Sequence, residues 1–99
     1  MKRAVILLLF LVACVSPRVQ LERQLESTFN LVDAYVNLYD DDAQDYLIQS
    51  YPEVHERAVN VLKLWRRTGA KPSGADSVSK ELRAIQMYVT RALDTNLKK

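Results

Sequence analysis

The 99-residue chain contains one cysteine, one histidine, one tryptophan and two glycines. With Cys14 as its only cysteine it can form no internal disulfide, so it lacks the usual staple of small exported domains. With His55 as its only histidine, the stretch Glu53, Val54, His55 and Glu56 cannot form the two-histidine turn of a zinc hydrolase. Both glycines fall at Gly69 and Gly74, which excludes a glycine-rich phosphate loop elsewhere, and no G-x-S-x-G elbow occurs. No strand-like alternation, internal repeat or low-complexity tract is present. Residues 4–15 form the only long apolar run. As a helix it would span ~18 Å, well short of the ~30 Å hydrocarbon core that a stable transmembrane helix must cross.

What the chain does have begins at that run. Lys2 and Arg3 precede it, and a short cationic start leading into an uncharged apolar stretch is the pattern of a secretory signal peptide, to be left out of the fold. The run ends in Leu11, Val12, Ala13 and Cys14, and these four residues resemble the lipobox of bacterial lipoproteins. The resemblance covers the first fourteen residues only. It implies a diacylglycerol on the Cys14 sulfur, cleavage just before Cys14 and acylation of the new amino group. One acyl chain holds a protein marginally at ~0.8 kcal/mol per buried methylene, whereas two or three hold it stably. Ordinary cleavage without lipid is the competing reading, but it wants an A-x-A-like site, and the nearest approximation is followed by Pro17. The expected organisation is a signal peptide over 1–13, a lipidated tether over 14–18 and a helical domain over 19–99. Val15 is not the aspartate that retains enteric lipoproteins at the inner membrane, so the periplasmic face of the outer membrane is the favoured location in a Gram-negative host.

Charge sharpens once the leader is removed. Residues 18–56 carry nine acids against Arg18 and Arg23, a net of −7, and residues 57–99 carry ten bases against three acids, a net of +7. Asymmetry of this kind raises the question of partners. The simpler expectation is that antiparallel helices from the two halves lie side by side and complement each other within one domain.

Three apolar series at helical spacing follow. Leu21, Leu25, Phe29 (with Thr28), Val32, Val36 (with Tyr35) and Tyr39 predict a helix starting at 17–19 and ending at 39–40. Asp40, Asp41 and Asp42 then read as a turn whose last member caps the next helix. Leu47, Tyr51, Val54, Ala58, Val61, Leu62 and Trp65 keep one phase across Pro52. A kinked helix over 43–67 satisfies the pattern. So do two helices with a restart at 51–52, which we favour because Ser50 and Glu53 fit a capping box. Residues 68–74, with both glycines and Pro72, predict a loop. After it, Val78, Leu82, Ile85, Val89 (with Tyr88), Ala92, Leu93 and Leu97 predict a helix over 77–96 capped by Asp76 or Ser77. The fold class is therefore all-α, a small antiparallel three-helix bundle with its middle helix broken or kinked at Pro52.

Catalytic and binding groups are few. His55 sits beside a buried-face position and reads as a boundary residue. Asp40, Asp41, Asp42 and Asp45 lack the glycine and closing glutamate of an EF-hand, so they read as a solvated turn and not a calcium site. Arg66, Arg67 and Lys71 near Trp65 read as helix-end charges, with anionic headgroups as their functional version and nucleic acid disfavoured by overall neutrality and the expected export. The aromatics read as packed core. No catalytic, cofactor-binding or metal-binding residue is expected, no cofactor and no small-molecule substrate; the expected site residue is Cys14, for lipidation. Partners are the membrane through the lipid, and another protein or a second copy. Lys99 carries the alternative: the murein lipoprotein of enteric bacteria is similar in being small and helical, and its terminal lysine is joined to peptidoglycan. This chain differs from it in Pro52, its glycine-containing loop and its aromatic faces.

Overall fold

A computed structural model describes residues 16–98. The signal peptide, Cys14 and Lys99 lie outside the described residues. Three helices follow one another: α1 (Pro17–Leu38), α2 (Asp42–Thr68) and α3 (Ala75–Leu97), with no strand among the described residues. Each helix packs against both others, so the protein is a three-helix bundle.

The start of α1 is capped twice. Pro17 stands at the first helical position, where its missing N–H costs nothing, and the Ser16 side chain accepts from the Val19 N–H at 3.3 Å. The helix therefore takes the last two residues assigned to the tether. The buried positions of α1 are Leu21, Leu25, Thr28, Val32 and Tyr35, in strict steps of four and three. This corrects the expected face: Phe29 is 45% exposed, while Thr28 and Tyr35 are almost wholly buried. Both polar groups can enter the core because their hydroxyls are bonded. Thr28 donates to the Gln24 carbonyl at 2.7 Å and accepts from Gln86 Nε2 at 2.7 Å.

The second helix is capped by Asp41, not Asp42: the Asp41 carboxylate accepts from the Gln44 N–H at 3.0 Å. It then runs without interruption through Pro52, and the expected restart there is corrected. Leu47, Tyr51, Val54 and Ala58 form one buried face on both sides of the proline. Keeping that face in phase outweighs the lost backbone bond. Pro52 and Ile48, whose carbonyl loses its usual partner, are both exposed, so water can serve that carbonyl. Replacing Pro52 by alanine, read by thermal and urea unfolding, is expected to stabilise the domain by about 1–2 kcal/mol, less than the full helix-propensity gap because the proline also stiffens the unfolded chain.

Gly69 ends α2 in the left-handed conformation at φ 72°, its N–H donating to the Trp65 carbonyl at 2.8 Å. The third helix begins at Ala75 and not 77, with Gly74 in the cap position and no side-chain cap. Packing decides this, because Ala75 is buried at 3% exposure and must already be helical to face the core. The buried face continues through Val78, Leu82, Ile85 and Val89, while Leu97, expected on it, is 80% exposed.

Candidate interaction surface

With few catalytic side chains in the chain, the informative geometry is where polar and exposed apolar groups meet. At one end of the bundle, where α1 passes into α2 and α3 finishes, Tyr35, Asp41 and Asn96 form a clasp. The Tyr35 hydroxyl donates to Asp41 Oδ2 at 2.6 Å, and Asn96 Nδ2 donates to the Tyr35 hydroxyl at 2.9 Å and to Asp41 Oδ2 at 3.3 Å. Gln44 Nε2 closes the junction onto the Val36 carbonyl at 2.9 Å. Burial, and then the bond to the Asp41 carboxylate, push the Tyr35 phenol up to about 12, and the same bond, with the Gln44 N–H, holds the Asp41 carboxyl below its ordinary value. Sequence reasoning missed this clasp. Its only advance signal was the tyrosine beside Val36 followed by an acid at the turn; Asn96, sixty-one residues from Tyr35, left none.

The opposite end gathers the start of α1, the end of α2 and the start of α3. Gln24 Nε2 donates to the Ser79 carbonyl at 2.9 Å and Gln24 Oε1 accepts from the Ser79 hydroxyl at 2.8 Å, so these two side chains pin α1 to α3. Glu22 accepts from Arg66 Nε at 3.0 Å and from Arg18 at 3.3 Å. Lys71 pairs with Asp76 at 2.8 Å and holds that carboxyl below its ordinary value. Two shallow clefts of about 340 and 410 Å³ open here, sharing Pro17 and Trp65 in their walls.

Arg57 bonds Glu81 at 2.8 Å across α2 and α3. His55 lies half-buried with Nδ1 3.1 Å from the Tyr51 hydroxyl and its ring 5.5 Å from that of Phe29. Phe29, Ile48, Tyr51 and Pro52 border a mainly apolar cleft of about 220 Å³ between α1 and α2. The aromatics therefore divide: Tyr35 and Tyr51 are core, Tyr39 and Trp65 pack at its margin, and Phe29 and Tyr88 are exposed, which corrects the expectation that the aromatics are packed core.

Among the described residues no group of three or more His, Cys, Asp or Glu side chains could hold a metal ion. Of the acidic turn, Asp41 is engaged as cap and clasp, and Asp40, Asp42 and Asp45 face solvent. No helix among the described residues is long and apolar enough to cross a membrane. Compared with protein-family models, curated proteins and solved structures, the chain matches none.

Proposed function

We propose that the chain is a lipid-anchored envelope lipoprotein, held through Cys14, whose antiparallel bundle works without catalysis by contact with another protein or a second copy. The observation that carries this reading is the apolar leader ending in Leu11, Val12, Ala13 and Cys14. The antiparallel arrangement is supported by pairings that run in opposite senses along α1 and α2, Glu22 to Arg66 and Phe29 to His55. Along α1 and α3 they run in the same sense, Gln24 to Ser79 and Tyr35 to Asn96. A role in contact is supported by how the polar side chains are spent, since Gln24, Thr28, Tyr35 and Asn96 bond across helices and leave no convergent reactive set among the described residues.

Cys14→Ser is expected to abolish incorporation of labelled fatty acid and to shift the chain from the membrane pellet to unprocessed or soluble protein. Unchanged membrane retention of that variant, measured by fractionation and flotation, sinks the anchor. One observation favours the second reading, a tether to peptidoglycan through Lys99. Asn96 sits beside Tyr35, so α3 ends at the pole opposite Pro17, and a lipid at one end would turn the end of α3 away from the membrane. Sacculi boiled in detergent retain the protein if that bond exists and are free of it otherwise.

A further inference from the structure

The charge asymmetry of the two sequence halves becomes, in the bundle, an asymmetry between its two ends. The two terminal helical turns of α1, α2 and α3 that meet around Pro17, with the 69–74 loop, hold seven bases against Glu22, Asp76 and Glu81, a net of +4. The other end, taken the same way with residues 39–41 and Lys98, holds six acids against Arg91 and Lys98, a net of −4. The ion pairs at the basic end leave a surplus: Arg18 and Arg66 share Glu22, and Lys71 takes Asp76. Arg23, Lys63 and Arg67 are exposed and make no ion pair among the described residues, and Lys80, also exposed, acts on Asp76 only by its charge. Trp65, half-buried, shares the clefts at this end with Arg18, Arg66 and Lys71 and is an aromatic of the kind that settles at headgroup level.

We infer that the basic, tryptophan-bearing end of the bundle seats on anionic phospholipid headgroups and holds the domain upright on its membrane. The inference rests on the anchor reading, through one length. From Cys14 to Pro17 the chain reaches at most ~10 Å, so a lipid on Cys14 keeps this end within about one Debye length, ~8 Å at physiological salt, of the surface. Each lysine or arginine that reaches an anionic surface favours contact by roughly fivefold. The acidic end of a second copy is the rival occupant. Copies that stand upright in one leaflet all turn their acidic ends away from it and set like poles side by side, so head-to-tail pairing requires bundles that lie flat.

Trp65, as the only tryptophan, reports the contact without a label. The full chain, processed and lipidated in a bacterial host, is reconstituted into phosphatidylethanolamine–phosphatidylglycerol vesicles and into phosphatidylcholine vesicles, each carrying a headgroup spin-label quencher. Quenching of Trp65 is expected to be at least threefold greater in the anionic vesicles and to fall to the neutral level at high salt. Arg67→Glu with Lys71→Glu removes the difference, and Asp76→Asn, which deletes an exposed acid from the same end, increases it; circular dichroism verifies that all variants are folded. Equal quenching in the two vesicle types, or a charge-reversed variant that quenches like the parent, overturns the inference. So does crosslinking between Arg67 and the acidic end of another copy that accounts for the contact. Flotation of the same samples separates the two levels: a chain that floats with neither vesicle type fails the anchor, and one that floats with both without the quenching difference fails only the seating.

Discussion

Leu82→Ala is expected to unfold most of the protein at room temperature. Leu82 is wholly buried and is one of the residues that α3 contributes to the core. Removing a buried leucine side chain costs about 2–5 kcal/mol, the upper part of that range applying where neighbours cannot collapse into the space. Here they are held apart from both sides. Gln24 pins α1 to α3 at Ser79, and Arg57 ties α2 to α3 at Glu81, within three residues of the site. A single core of this size supplies only ~3–5 kcal/mol, and no disulfide supplements it. Urea titration followed by circular dichroism should give a midpoint near zero denaturant, and a loss under 1 kcal/mol would show that Leu82 is not enclosed as described. Leu82→Met, which preserves volume, should cost less than about 1.5 kcal/mol.

Tyr35 is the second position with a large expected effect, because one side chain serves both the core and the clasp. Tyr35→Ala is expected to cost about 3–5 kcal/mol through the lost ring alone. Tyr35→Phe keeps the ring and removes the hydroxyl that bonds Asp41 and Asn96, and should cost about 1–3 kcal/mol. The difference between the two separates packing from hydrogen bonding. The same hydroxyl sets a pH signature. The phenols of Tyr35 and Tyr51 are pushed up to about 12, whereas unfolded tyrosines ionise near 10. Between those values the unfolded chain releases protons that the folded chain keeps, so stability is full below about pH 10 and falls as pH rises through the window. Tyr35→Phe should flatten part of that fall, and an unchanged alkaline slope would remove Tyr35 from the account. At the acid side the sign reverses. The Asp41 carboxyl is held low by Tyr35 and Gln44, so its contribution is present above the ordinary carboxylate range and is lost as pH drops through its folded value.

The three amphipathic faces and most of the core could be read from apolar spacing, though not the continuity of α2 through Pro52, because a helix of 3.6 residues per turn leaves that mark whatever it packs against. Leu21, Leu25, Val32, Leu47, Val54, Ala58, Leu62, Val78, Leu82, Ile85 and Val89 are all buried as expected. The misreadings share a cause. Thr28 and Tyr35 displaced Phe29 and Val36 from the core centre because Gln86, Asp41 and Asn96 satisfy their hydroxyls, and those partners lie on other elements. Asp41 took the cap from Asp42 because its carboxylate also reaches the clasp. Pro52 stayed inside one helix because the face on either side of it is buried against α1 and α3, a constraint absent from local propensity.

By itself the sequence supplied the expectation of a lipobox-like leader, the lack of a second cysteine and the three amphipathic faces, all properties of neighbours along the chain. Only the tertiary structure decided which polar groups could be buried, since that depends on partners fifty or more residues away. It also decided what the two oppositely charged halves amount to. Folding places the end of α2 and the start of α3 beside Pro17, and the junction of α1 with α2 beside Asn96. An imbalance along the chain thereby becomes an imbalance between the ends of the molecule, because charge adds up by position in space and not by order in sequence.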